Sequence, residues 1–307
     1  MSRLRIATRG SALALAQSGE VAARIAAALD RETELVVVRT AGDRIQDRSL
    51  ARIGGKGLFI KEIEEALLAG RADVAVHSAK DLPAAIADGC ALAAFPERAD
   101  PRDALVGLAP DARVATLRDG ARVGTGSVRR SSQLLAIRPD LEIVPLRGNV
   151  DTRLRKLEDE ALDAVILACA GLDRLGRGDV IRERISPGTL LPAVAQGTLA
   201  LETRADDPVR EAVAALDDGR VSAAIAAERA FLGRLEGDCS VPLAAFAEIA
   251  DGRLRLRGLV ASPDGGVVVR AERSGAVADA ADVGTALADE VLAKAGAEVL
   301  AALGATA

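Results

Sequence analysis

Short apolar runs alternate along this chain with longer stretches in which apolar residues return every four positions. Leu4 to Thr8 is a short run and predicts a strand. Ser11 then opens a segment in which Val21, Ile25 and Leu29 recur at helical spacing. Glu34 to Val38 is a second, Val-rich strand. The stretch from Ala41 to Gly57 is polar and Gly-containing, too long for a tight turn, and so a candidate functional loop. Phe59, Ile63 and Leu67 place another helix, and Val74-Ala75-Val76-His77 another buried-type strand. Such alternation predicts an α/β layered domain with a mostly parallel sheet.

The pattern breaks at Phe95-Pro96-Glu97-Arg98-Ala99-Asp100-Pro101-Arg102, where two prolines stand among charges. It then resumes. Arg122-Val123-Gly124 ends a strand, Ser127 to Leu135 is helical, Glu142 to Leu146 is a strand, a helix starts near Asp151, and Ala164 to Ala168 is again a strand. A second Pro- and Gly-rich crossing runs from Ser186-Pro187-Gly188 through Pro192 to Gly197. Further on, Leu254, Leu256 and Val260 alternate with Arg253, Arg255 and Arg257, a half-buried antiparallel strand between the turn signals Asp251-Gly252 and Asp264-Gly265. Val283, Leu287 and Val291 set a helix over its sheet. The expected domains are α/β domain 1 (1–97 with 197–216), α/β domain 2 (102–191) and an α+β domain 3 (219–307). Hinges at about 98–101 and 192–196 join the first two around a cleft.

Composition narrows the function. Half of the 307 residues are apolar, yet there are four Phe and no Tyr or Trp, so the cores are aliphatic and base stacking has no platforms. A net charge of −5 gives no overall attraction for nucleic acid. Three cysteines, Cys90, Cys169 and Cys239, form neither a disulfide framework nor a metal spacing, and the single histidine makes a His-based zinc site a poor expectation. The start, Met1-Ser2-Arg3-Leu4-Arg5-Ile6, lacks a signal-peptide core, and no uninterrupted apolar run is long enough to span a bilayer. A soluble, cytoplasmic protein without membrane or nucleic-acid partners is expected. Arg outnumbers Lys by 35 to five, and two of those five, Lys56 and Lys80, fall in the segments Gly54-Gly55-Lys56-Gly57-Leu58-Phe59 and His77-Ser78-Ala79-Lys80-Asp81-Leu82-Pro83.

Cationic and hydroxyl side chains gather at expected strand ends: Arg9 and Ser11; Thr125, Ser127, Arg129 and Arg130; Arg147 and Arg153; and Arg174. Ligands of open α/β sheets bind there, helix N-termini add unpaired N–H donors, and Arg adds forked donors that match carboxylates. Neither a Walker loop nor a Gly-x-Gly-x-x-Gly opening is present, so the expected ligand is a polyanion other than a nucleotide triphosphate. Asp81, beside Ser78 and Lys80, would repel a ligand that carried only carboxylates. It makes sense if the reacting part of the ligand becomes cationic. His77 reads as a satisfied strand-end residue, and Gln196 as either a ligand contact or a polar hinge residue. Leu235-Glu236-Gly237-Asp238-Cys239-Ser240-Val241-Pro242 sets one thiol in a short loop, where a thiolate has access.

Together with Arg5-Ile6-Ala7-Thr8-Arg9 and Arg147-Gly148-Asn149-Val150-Asp151-Thr152-Arg153, these segments resemble the porphobilinogen deaminase (hydroxymethylbilane synthase) family, in the family's order and over nearly the whole chain. The resemblance implies two periplasmic-binding-protein-like α/β domains plus a third domain with a small antiparallel sheet, and a monomer. It implies a transferase of porphyrin, tetrapyrrole and haem biosynthesis that joins four porphobilinogens head to tail with loss of ammonia, then hydrolyses off the linear tetrapyrrole hydroxymethylbilane. It implies a dipyrromethane cofactor held by thioether to Cys239, and Asp81 as the catalytic carboxylate that steadies positive charge on the pyrroles. Arg9, Ser11, Lys56, Ser78, Lys80, Thr125, Ser127, Arg129, Arg130, Arg147, Arg153 and Arg174 would bind the pyrrole carboxylates, with Phe59 packing near them and Gln196 a further site candidate. The chain departs from the family pattern at Arg52, where Lys is common, at Gly126, where a small hydroxyl residue is frequent, and at Asp238, often Gly. The rival expectation is a non-catalytic, two-lobed cytoplasmic anion-binding protein.

Overall fold

The computed structural model describes residues 3–40, 60–83, 85–235, 241–295 and 299. The chain forms two compact units, residues 1–99 with 197–222, and residues 100–196 with 223–307.

In the first unit β1 (Leu4–Thr8), α1 (Ala12–Leu29), β2 (Thr33–Val37), α2 (Lys61–Leu68), β3 (Val74–Ser78) and β4 (Cys90–Ala94) follow one another, and β10 (Leu199–Arg204) and α6 (Val209–Ala214) join after the chain returns. The sheet order is β2-β1-β3-β10-β4. β1 runs parallel to β2 and β3, whereas β10 lies antiparallel between β3 and β4. Helix α1 begins where the Ser11 hydroxyl accepts the Ala14 N–H, and ends at Asp30, which takes the left-handed φ of 47°. Its Val21 and Ile25 are buried against Leu4, Ile6, Val74 and Leu201, each burial stabilising by about 1.5–3 kcal/mol. By length and composition this helix is apolar enough to cross a membrane. It nevertheless packs Gln17, Ser18, Val21, Ala22 and Ile25 into the unit and pairs Arg24 with Glu20, as a core helix does. Helix α2 covers the opposite face, with Ile63 and Leu67 on Ala7, Ala72 and Ala75.

The second unit repeats this plan. Its strands are β5 (Asp103–Gly107), β6 (Arg122–Gly124), β7 (Glu142–Val144), β8 (Ala164–Ala168) and β9 (Glu183–Ile185), with α3 (Val128–Ile137), α4 (Val150–Asp159) and α5 (Cys169–Arg174) between them. The order β7-β6-β8-β5-β9 matches that of the first sheet position for position. In each sheet the fourth strand, β10 or β5, is the one entered just after a crossing, and it is antiparallel to both neighbours. The expectation of mostly parallel strands therefore holds for four strands of five in each sheet, and the crossing supplies the fifth in the opposite sense.

The same unit contains the antiparallel sheet β11 (Leu243–Ala250), β12 (Arg253–Ala261) and β13 (Val268–Ala276), with α8 (Ala280–Lys294) and, from Ala223 onward, α7 (Gly219–Arg234) packed on it. Leu254 and Leu256 point into the core while Arg253 and Arg255 face water, as the alternation predicts. Asp251 and Gly252 turn the first hairpin with φ of 49° and 71°.

Candidate functional site

Strands β1 and β3 are parallel neighbours, so the turns that follow them lie side by side at the carboxyl edge of the first sheet. The first turn supplies Arg9 and Ser11, the second Ser78, Lys80 and Asp81. Between them is a pocket, open to solvent, whose polar lining is Arg9, Ser11, Gln17, His77, Ser78 and Asp81, with Ile60 and Ile63 on its apolar wall. Each hydroxyl is polarised by its partner. Ser11 Oγ accepts from Ala14 N at 3.3 Å, and Ser78 Oγ accepts from Gln17 Nε2 at 2.9 Å, so each keeps its own hydrogen to donate. The start of α1 adds unpaired backbone donors. Asp81 is exposed on the rim and closes a 3-10 turn, Ala79–Asp81, that is tied by Ala79 N–H to the Thr198 carbonyl at 3.0 Å. The pocket thus sets one carboxylate among anion-binding donors. Lys80 is half-buried in the same turn. Gln17 was not legible in the sequence, because a glutamine on a helix face carries no signal of its own.

In the second unit the strand-to-helix turns again carry donors. Thr125 is buried after β6, and its hydroxyl accepts Ser127 N–H at 3.2 Å. Ser127 is the N-cap of α3, but its side chain makes no capping bond, which leaves the hydroxyl for a ligand. After β7 come Arg147 and Gly148, whose φ is 114°, and then Asn149, which caps α4 by accepting Thr152 N–H at 2.9 Å. Arg153 Nε donates back to the Gly148 carbonyl at 2.8 Å. Gly126 has a steric reason: a Cβ there would lie 2.5 Å from the Leu146 carbonyl oxygen, so the hydroxyl residue frequent in the family does not fit this turn. Arg174 is the last residue of α5, which starts immediately after β8, and so follows the strand-to-helix turn by the length of this short helix.

Arg129 and Arg130 are each 5 % exposed and grip the fully buried carboxylate of Asp103. Arg129 Nη1 donates to Asp103 Oδ2 at 2.7 Å and to the Leu191 carbonyl at 2.8 Å, while Arg130 Nη2 reaches Asp103 Oδ1 at 2.7 Å and its Nη1 the Ile166 carbonyl at 3.0 Å. Gln196 Nε2 joins them, donating to Asp103 Oδ1 at 3.0 Å and to the Pro101 carbonyl at 2.8 Å. Burial pushes the Asp103 carboxyl up, but the two guanidiniums outweigh it and hold the group well below the usual carboxylate range. Two cations on one anion leave this buried cluster a unit of positive charge in excess. It fastens the first turn of α3, and with it Ser127, to both crossing segments. Asp103, an acid opening the apolar run Ala104-Leu105-Val106, is a signal the sequence reading passed over.

The donor sets suit a ligand with several carboxylates: hydroxyls with hydrogens to give, guanidiniums, and the starts of α1 and α3. Acetate- and propionate-bearing pyrroles such as a dipyrromethane fit that chemistry. Arg52, Lys56, Phe59, Asp238 and Cys239 lie outside the described residues.

Among solved structures, the second substrate binding domain of a putative amino acid ABC transporter from Streptococcus pneumoniae has a TM-score of 0.43 at 16 % identity, covering 70 % of this chain and 91 % of that one. Sequence likeness is far stronger. A curated porphobilinogen deaminase of Syntrophus aciditrophicus is 51 % identical over 94 % of this chain and 95 % of its own. That of Trichlorobacter lovleyi is 49 % identical over 97 % and 96 %. That of Roseiflexus castenholzii is 51 % identical over 97 % and 98 %. The family described as porphobilinogen deaminase, dipyromethane cofactor binding domain, matches residues 4–212, and its C-terminal domain matches residues 222–293. With the two family domains together matching residues 4–212 and 222–293, and curated relatives about half identical over nearly the whole chain, the chain belongs to the porphobilinogen deaminase family.

Proposed function

We propose that the chain condenses four porphobilinogens head to tail, with loss of ammonia at each addition, onto a dipyrromethane attached by thioether to Cys239. Hydrolysis then releases the linear tetrapyrrole, a transferase reaction of porphyrin and haem biosynthesis. The observation that carries this reading is Asp81: a lone carboxylate on the rim of a pocket otherwise furnished with donors for anions. A protein that merely held carboxylates would gain nothing from a negative charge there, and family membership removes the case for the non-catalytic binder.

When bound, the dipyrromethane supplies the pyrrole carbon to which the first substrate is joined. The chain's own residues hold, orient and protonate. Arg9, the Ser11 and Ser78 hydroxyls and the start of α1 donate to acetate and propionate oxygens on the first unit, with Lys80 and Lys56 in the same role. On the second unit Thr125, Ser127, Arg147, Arg153 and Arg174 do so. Arg129 and Arg130 act with Asp103 and Gln196 to fix the start of α3, and their excess positive charge favours a carboxylate beside Ser127. Asp81 would act at the pyrrole N–H groups, where a fixed anion stabilises positive charge that develops only during reaction. Arg52 and Phe59 are assigned to the same site by motif. The proposed organisation is a cytoplasmic monomer of three domains, 1–97 with 197–216, 102–191 and 219–307.

Intact mass tests the proposal directly. The purified, folded chain is expected to be heavier than its sequence by about two pyrrole units and to colour with an aldehyde reagent for pyrroles. An unmodified mass in folded protein that also fails to consume porphobilinogen would overturn it.

A further inference from the structure

The second crossing is held more firmly than a hinge requires. Leu191, Ala195 and Gln196 are each at most 2 % exposed. Leu191 N–H donates to Gln133 Oε1 at 2.8 Å, and its carbonyl accepts from Arg129 Nη1 at 2.8 Å and from Gln133 Nε2 at 3.1 Å, which ties the crossing to α3. The Leu191 side chain packs with Ala244 and Phe246 of β11 and Leu259 of β12. At the other end Gln196 Nε2 reaches Asp103 Oδ1 at 3.0 Å. Between them Ala195 takes a left-handed φ of 58°. A residue with a Cβ adopts that conformation at a cost, and keeps it only where its surroundings impose it.

Glu228 of α7 is the group that grips Ala195. This fully buried side chain accepts the Ala195 N–H on Oε2 at 2.6 Å and the Ala247 N–H of β11 on Oε1 at 2.8 Å. Burying a carboxyl is costly unless its oxygens are hydrogen-bonded, and here both are. Its helix is seated closely on the sheet, since a Cβ at Gly258 of β12 would lie 2.6 Å from the Phe231 ring, one turn beyond Glu228. The same helix leads through Leu235 into the stretch of sequence that contains Cys239. All of these groups belong to the second unit.

We infer that Glu228 is a positioning residue that makes the second crossing a brace, an inference that rests on the proposed reaction. Through Ala195 and Gln196 it holds Asp103, and with Asp103 the two guanidiniums that fix the start of α3 and Ser127. One end of the brace is the helix that runs toward the proposed tether at Cys239. The other end is the turn proposed to bind pyrrole carboxylates. The two therefore keep a set spacing while the tetrapyrrole grows, and the segment 192–196, expected as a hinge, is rigid.

Hydrogen exchange read by mass spectrometry on the purified enzyme tests the brace without turnover. Glu228→Gln keeps one acceptor and turns an amide NH2 toward the other backbone donor. Exchange should quicken about tenfold in peptides covering 191–197 and also in those covering 127–133, while peptides covering 4–29 keep their native rates. The variant should retain the two-pyrrole mass increment, with KM for porphobilinogen raised about tenfold and kcat within about threefold of native. Gln196→Ala should reproduce the KM change and the faster exchange at 127–133, and the double variant should be no worse than the more affected single one. Faster exchange confined to 191–197 overturns the inference, as do additive KM effects or a native KM in Glu228→Gln. Should Glu228→Gln lose its melting transition, Glu228→Asp, with both acceptors on a shorter stem, should give the same exchange pattern in weaker form, and native exchange at 127–133 in that variant overturns the inference too. A native enzyme inert toward porphobilinogen would instead defeat the functional reading, while the exchange pattern still decides the brace.

Discussion

Asp103 shows what one buried carboxylate does to its neighbours. Removing its charge leaves Arg129 and Arg130 buried without a counter-ion, which costs about 3–5 kcal/mol. Its folded-state value lies below the unfolded one, because Arg129 and Arg130 overcome the upward push of burial. The stabilisation is therefore complete above the unfolded carboxyl value of ~3.9 and is lost as pH falls through the lower folded value. Urea unfolding of native and Asp103→Asn protein should differ most near neutrality and converge below about pH 4; a constant gap down to pH 2 would contradict the assignment. Asp81 predicts the opposite profile of effects. Being exposed, it adds little to stability, so Asp81→Ala should melt as native does and bind porphobilinogen while turnover drops about 10²–10⁴-fold. Near-native turnover in a steady-state assay would remove it from the chemistry. Arg9, Ser11, Ser78 and Asp81 were legible because strand ends of an α/β sheet are where ligands bind. Asp103 was not, since it sits within an apolar strand run and gains its meaning from partners far along the chain.

Helices and strands differ in how openly the sequence announces them. α1, α2 and α8 carry four-residue spacing and were found from it, while α3 and α4 were placed by their starts near Ser127 and Asp151. β4, β5, β9 and β10 were missed, because a five-residue apolar strand such as Asp103–Gly107 has no alternation and follows a proline-rich crossing. Pairing sense was equally hidden: β5 and β10 are antiparallel only because the chain enters each sheet from the other unit. Close packing of α7 and α8 gives an element-scale test. A Cβ at Gly284 would lie 2.2 Å from the Ala227 carbonyl oxygen and 2.8 Å from Ala230 Cβ. Alanine is the better helix former by about 1 kcal/mol. Overlap with backbone cannot be relieved by a rotamer change and costs about 1–3 kcal/mol or more, so the clash wins. Gly284→Ala should lower the melting temperature, whereas Gly19→Ala in α1, where nothing lies within 4 Å, should raise it slightly. Equal shifts for the two would show that α7 and α8 are less tightly seated.

At the scale of the molecule, an acidic chain of net charge −5 gathers cationic and hydroxyl side chains at a few strand ends, so attraction for a polyanionic ligand is local. The three cysteines are distributed with the same selectivity. Cys169 opens α5 with no exposed surface, and burial, then Asp100, pushes its thiol up to about 12. Cys90 on β4 is pushed equally high by burial and then by Glu202 and Glu64. Neither is a thiolate near neutral pH, and thiolate is the form that builds a thioether. The proposed anchor is Cys239. Cys90→Ala and Cys169→Ala are therefore expected to retain the two-pyrrole mass increment and the pyrrole colour, and Cys239→Ala to lose both while keeping a cooperative melt. An iodoacetamide label at pH 8 should likewise leave Cys90 and Cys169 unmodified in the folded chain. Loss of the increment in Cys169→Ala with retention in Cys239→Ala would move the attachment into the second unit's core, against the burial and charge that surround that thiol.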